Sequence, residues 1–199
     1  CVDERRKSCS FSRKNIIDHV DNLKVLFTYL LSSNSCILEE DLSVVDFLRI
    51  EETKELVKAA GGTCYGYVCD VRNREDIYKT AEIVREEVGQ VTILINNAGV
   101  VNIGIFWNIS DDLLTRTMEV NIMSQFWTVK AFLPAMIKNN KGHIANIASM
   151  AGLTGCPVIV DYCTSKYAAV GFNEALQMEL DVCNLLNLGY LVAVRNTDS

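Results

Sequence analysis

Two kinds of apolar pattern alternate along this chain, and the alternation narrows the fold more than any other feature. Residues 91–95 (V-T-I-L-I) and 143–148 (H-I-A-N-I-A) are short apolar runs that end on small or polar residues. Runs of this length read as buried strands. Around them, apolar positions recur at helical spacing. Ile77, Ala81, Val84 and Val88 predict a helix over 74–88, stopped by Gly89. Ser110, followed by Asp111 and Asp112, reads as the N-cap of a long helical stretch toward Ile137, which Pro134 is expected to kink or end. A further helix is expected over about 161–182. Residues 51–60 read as a helix closed by Gly61-Gly62, and residues 63–68 and 190–194 as strands. Strands alternating with helices predict an α/β fold: a doubly wound parallel sheet with helices on both faces.

Both central runs place their polar residues where such sheets bind ligands, at the carboxyl ends of strands. The first run leads into Asn96-Asn97-Ala98-Gly99, the second into Ser149. Thirteen residues beyond Ser149 stands Tyr162, and Lys166 follows four residues later. Residues four apart share a helix face. A phenol with pKa about 10 is a poor base at neutral pH. A cation about 4–6 Å away lowers such a pKa by about 1–3 units, enough to make the phenol a proton acceptor for an alcohol. A Y-x-x-x-K pair by itself also fits a solvated helix face. The neighbouring strand ends favour chemistry.

These residues resemble the short-chain dehydrogenase/reductase family. The matching features are N-N-A-G, Asn121 in M-E-V-N-I, Ser149 in N-I-A-S-M-A-G, and Tyr162 with Lys166, in the family's order and spacing from about residue 51 to 180. The wording of K-A-F-L-P-A-M and G-H-I-A-N-I-A-S-M-A-G-L is similar to the microsomal retinol dehydrogenases and their 17-beta-hydroxysteroid dehydrogenase relatives. The resemblance implies a Rossmann-like fold, NAD or NADP as cofactor, and a lipophilic alcohol or carbonyl substrate. It implies Tyr162 as acid/base, Lys166 as the group that lowers its pKa and holds the nicotinamide ribose, Ser149 as the group that orients substrate oxygen, and Asn121 as holder of a relay water. It implies Asn96, Ala98 and Gly99 along the adenosine side, with Asp70 at the adenine amino group and Val71 against the ring. It also implies a homodimer through the two long helices, and an endoplasmic reticulum membrane or lipid-droplet address.

The chain departs from the family in two places. Its T-G-x-x-x-G-x-G turn is absent: no glycine precedes Gly61. Such glycines let backbone N–H groups approach a pyrophosphate at a helix N-terminus. The first strand with that turn, and the C-terminal substrate lid, are therefore expected to be missing. Residues 1–50 form an atypical segment before a partial domain over 51–199, either a helix or two or poorly ordered. Asp46, after L-S-V-V, has two readings: the acid that holds ribose hydroxyls, or an ordinary exposed acid. Two functional readings follow. One is an oxidoreductase, the other a non-catalytic remnant able only to pair with full-length relatives. The missing turn predicts weak or absent turnover.

Composition bounds the partners. A net charge of −6 and no basic cluster argue against a nucleic-acid surface. Eight cysteines include no C-x-x-C and no metal-like Cys/His spacing, so no metal site is expected, and they read as reduced thiols of an intracellular protein. His143 reads as a packed strand residue. No run reaches the roughly 18–20 apolar residues of a membrane span. The nearest, L-K-V-L-F-T-Y-L-L at 23–31, reads as a buried or interfacial helix.

Overall fold

The computed structural model describes residues 25–28, 54–59, 61–182 and 188–195. Four strands form one sheet in chain order, β1 (Val25–Thr28), β2 (Ile93–Asn96), β3 (Gly142–Ser149) and β4 (Leu188–Arg195), and every neighbouring pair is parallel. The register sets Leu94 beside Ile144 and Asn96 beside Asn146. Alternate residues of β2 and β3 point the same way, so Leu94, Asn96, Ile144, Asn146 and Ala148 share the buried face.

Besides a short helical segment at 54–59, the described residues form four helices, α1 (Arg74–Glu87), α2 (Asp111–Met118), α3 (Ser124–Lys138) and α4 (Val160–Val182). Asn73 caps α1, accepting from the backbone N–H of Glu75 and Asp76, and the acids there suit the helix dipole. Ser110 caps α2 as expected, accepting from Leu113 N–H. A π-helical turn, Glu119–Met123, joins α2 to α3. The three long helices close over the buried face. Ala81 and Val84 of α1, Val129, Phe132 and Met136 of α3, and Leu180 of α4 meet Leu94 and Ile144 in one cluster. Fully burying a side chain such as Leu94 or Met136 contributes about 1.5–3 kcal/mol. On the opposite face Ile93, Ile95, Ala145 and Ile147 are half-buried among the described residues.

Three local expectations are corrected, and one of two alternatives falls. Residues 25–28 of the run expected as a helix form β1, parallel to β2 and covering its edge. Residues 63–68 form no strand, and Tyr65 and Val68 are exposed, because a strand needs a neighbour to take its backbone hydrogen bonds and none is present among the described residues. Of the two outcomes expected of Pro134, a kink or an end, the end falls: Pro134 lies inside α3, which runs on to Lys138. The carbonyl that loses its partner belongs to exposed Lys130, where water can replace the missing N–H. His143 is exposed, because its place in the alternation sends it to the open face. Asp46 and most of residues 1–50 lie outside the described residues. Among the described residues, no helix is long and apolar enough to cross a membrane.

Candidate active site

β3 ends at Ser149, and a 3-10 turn, Met150–Gly152, begins there. Ser149 is buried, and its Oγ accepts from Ala151 N–H at 3.2 Å. The hydroxyl proton stays available to a substrate oxygen. After the 150–159 loop, α4 carries Tyr162 in its first turn and Lys166 one turn on. Lys166 Nζ stands 5.6 Å from the Tyr162 ring centroid, within cation–π range. Lys166 is 4% exposed, and its ammonium donates to Ile147 O of β3 at 2.9 Å. Burial pushes the Lys166 pKa down to about 8.

Asn121 sits in the π-helical turn with no exposed surface. Its Oδ1 accepts from Val100 N–H at 2.8 Å, and its Nδ2 donates to Val100 O and to Ser165 Oγ, each at 2.9 Å. Both amide protons are thus committed to holding the loop after β2 and the α4 turn that carries Tyr162 and Lys166. A β-carbon built on Gly99 would lie 3.6 Å from both Asn121 Oδ1 and Lys166 Nζ. The ends of β2 and β3, the π-helical turn and α4 therefore converge around one point.

The other expected site residues lie further into the frame. Asn96 belongs to a buried polar ladder: Thr128 Oγ1 donates to Asn96 Oδ1, Asn96 Nδ2 to Asn146 Oδ1, and Asn146 Nδ2 to Asn173 Oδ1. It ties α3 to α4 across two strands. Ala98 and Val71 are buried together with Ile77 and Val120. Asp70 lies at the lip of an open depression of about 390 Å³, with Glu119 and Trp127. Its carboxylate accepts from the Arg72 guanidinium, closest at 2.8 Å, and from Arg72 N–H at 2.9 Å. Those Arg72 bonds hold the Asp70 pKa below the usual carboxylate range.

Sequence reasoning missed a clamp beside Tyr162. Asp161 is 5% exposed, and its Oδ2 accepts from Thr117 Oγ1 at 2.8 Å and Asn102 Nδ2 at 3.0 Å. Its Oδ1 is buried with no hydrogen-bond partner among the described residues. The signal was present: Asp161 is the one charged residue between His143 and Lys166. Asn146, a polar residue inside an apolar strand run, was a similar signal.

Gly152 explains why a small residue follows Ser149. A β-carbon there would stand 2.7 Å from Lys166 O and 3.0 Å from its carbonyl carbon. Both are helix backbone, so α4 or the loop must move. Gly152→Ala is expected to lower stability by about 1–3 kcal/mol, the usual cost of overpacking. Urea denaturation measures this, and an unchanged midpoint would show that α4 yields freely.

The model of the short chain dehydrogenase family matches residues 37–191. The chain belongs to that family. Human estradiol 17-beta-dehydrogenase 11 is 49% identical over 131 residues, 66% of this chain and 44% of its own length. Short-chain dehydrogenase/reductase family 16C member 6 of Bos taurus is 53% identical over 116 residues, covering 58% of this chain and 37% of that protein. Human 17-beta-hydroxysteroid dehydrogenase 13 is 46% identical over 131 residues, again 66% of this chain and 44% of its own. The chain thus spans less than half the length of these relatives. Among solved structures, a short chain dehydrogenase/reductase from Burkholderia phymatum in complex with NAD aligns with TM-score 0.71 at 32% identity, covering 75% of this chain and 53% of that one. A metagenomic short-chain oxidoreductase in complex with NADP aligns with TM-score 0.70 at 26% identity, covering 75% and 67%. Both likenesses agree with the parallel sheet and with the helices stacked against it.

Proposed function

We propose that this short chain dehydrogenase is an NAD(P)-dependent oxidoreductase that interconverts a lipidic alcohol, retinol- or steroid-like, with its aldehyde or ketone. The observation that carries this reading is the buried Lys166 ammonium over the Tyr162 ring, held by Ile147 O. A cation confined there can stabilise negative charge that develops on the reacting oxygens as a proton moves. Tyr162 then takes the alcohol proton while Ser149 holds the substrate oxygen. Lys166, Tyr162 and the Gly99 backbone fit the ribose and nicotinamide half of a dinucleotide, with Lys166 the group that would hold the ribose. The bound nicotinamide supplies the hydride acceptor. Asn121, its amide protons committed, serves this reading by fixing the loop and α4. A lipophilic substrate suits the rim. Ile103, Phe106 and Trp107 after β2, and Leu153 and Val158 after β3, are exposed apolar residues, and Gly104 N–H joins the two loops through Val158 O at 2.8 Å. A homodimer through α3 and α4 belongs to the same reading.

A second reading has its own support. No glycine precedes Gly61, so the residues given supply no glycine-rich turn for the phosphate half of the cofactor. Charge-assisted hydrogen bonds contribute about 1.5–3 kcal/mol each, so losing two or three weakens binding on the order of 10²-fold or more. The chain would then be a non-catalytic remnant that pairs with full-length relatives. Calorimetric titration with NADH and then NADPH separates the two. Micromolar binding of either supports the oxidoreductase and names its cofactor. Silence at millimolar concentration leaves the remnant.

A further inference from the structure

Two of the described free cysteines are in contact, and one of them adjoins Tyr162. Cys163 Sγ accepts from the backbone N–H of Cys156 at 3.3 Å and lies 3.9 Å from the carbonyl oxygen of the same residue. Its sulfur therefore rests against the backbone that carries the other thiol. Cys156 is half-buried in the loop, whereas Cys163 is buried in the first turn of α4. The segment between them is constrained. Pro157 fixes one backbone angle. Val158 has φ +60°, a region a β-branched residue rarely enters, and its carbonyl is held by Gly104 N–H. A pinned, strained turn thus keeps Cys156 beside Cys163.

We propose that Cys156 and Cys163 are a redox pair that closes to a disulfide in the presence of a small disulfide such as oxidised glutathione. The accessible Cys156 thiolate attacks one sulfur of that disulfide and releases one small thiol. Cys163 then attacks the mixed disulfide and releases the second. The protein loses two protons and two electrons, and the small disulfide takes them up and leaves as two thiols. The new bond would tie the 150–159 loop to the residue following Tyr162. An effect on turnover rests on the role given to Tyr162 above, but formation of the bond does not.

The test needs no turnover. The folded chain is equilibrated with oxidised glutathione, its remaining thiols are alkylated, and it is digested with trypsin. Lys141 and Lys166 bracket one peptide that contains both cysteines. That peptide is expected to lose both alkyl adducts together and to appear two hydrogens lighter. Cys156→Ser should leave Cys163 alkylated, and Cys163→Ser should leave Cys156 carrying glutathione. Wild-type peptide alkylated at both positions, or carrying separate glutathione adducts, or cross-linked to other cysteines, would overturn the proposal.

Discussion

Tyr162→Phe is expected to lower turnover of a lipophilic alcohol by about 10²–10⁴-fold, the usual contribution of a positioned acid/base. The fold should not notice. Among the described residues Tyr162 is tied to its surroundings by its ring, beneath Lys166, and by its backbone carbonyl, which accepts from Ser165 Oγ. Phenylalanine keeps both ties. A melting temperature equal to that of the parent, with NADH binding unchanged and turnover lost, would place the defect in proton transfer. Turnover that survives the change would remove Tyr162 from the chemistry. The size of the effect depends on the oxidoreductase reading, so the cofactor titration comes first.

The second large effect is a pH dependence of stability that belongs to Lys166. Burial lowers its folded pKa from the ordinary 10.5 to about 8. Below pH 8 both folded and unfolded chains carry the charge, and the fold bears the full cost of burying it. Between about pH 8 and 10.5 the folded chain has released the proton and the unfolded chain still holds it, so stability rises with pH. The span corresponds to about 3 kcal/mol at about 1.4 kcal/mol per pH unit. Lys166→Met removes this titration. The difference in unfolding free energy, parent minus variant, should climb by up to about 3 kcal/mol as pH rises from 7 to 10.5, while other titrating groups cancel. Urea denaturation across that range reads it directly, and a flat difference would show that water reaches the ammonium.

The frame was legible wherever local pattern decided structure. Ile77, Ala81 and Val84 placed α1, and all three are buried. Ser110 capped α2 through Leu113 N–H, and residues 190–194 fell within β4. The run at 23–31 could not be read this way, because a short apolar run fits a buried helix or a buried strand equally. Its middle became β1 only where the edge of β2 was there to pair with it. Residues 63–68 show the converse, strand-like composition without a ladder. Pro134 did not end α3 because water at an exposed face can replace the hydrogen bond that proline removes.

The sequence by itself determined the family, the parallel order of strands and helices, and the spacing that sets Lys166 over Tyr162. Each of these follows from side-chain period and from residues close in the chain. Only the tertiary structure decided which polar groups hold that pair in place. Thr117 and Asn102 reach Asp161 across 44 and 59 residues, and Asn96 reaches Asn146 across 50. Those partners were chosen by burial. A polar side chain inside the core must find a hydrogen bond wherever the folded chain offers one, and no local pattern records where that will be.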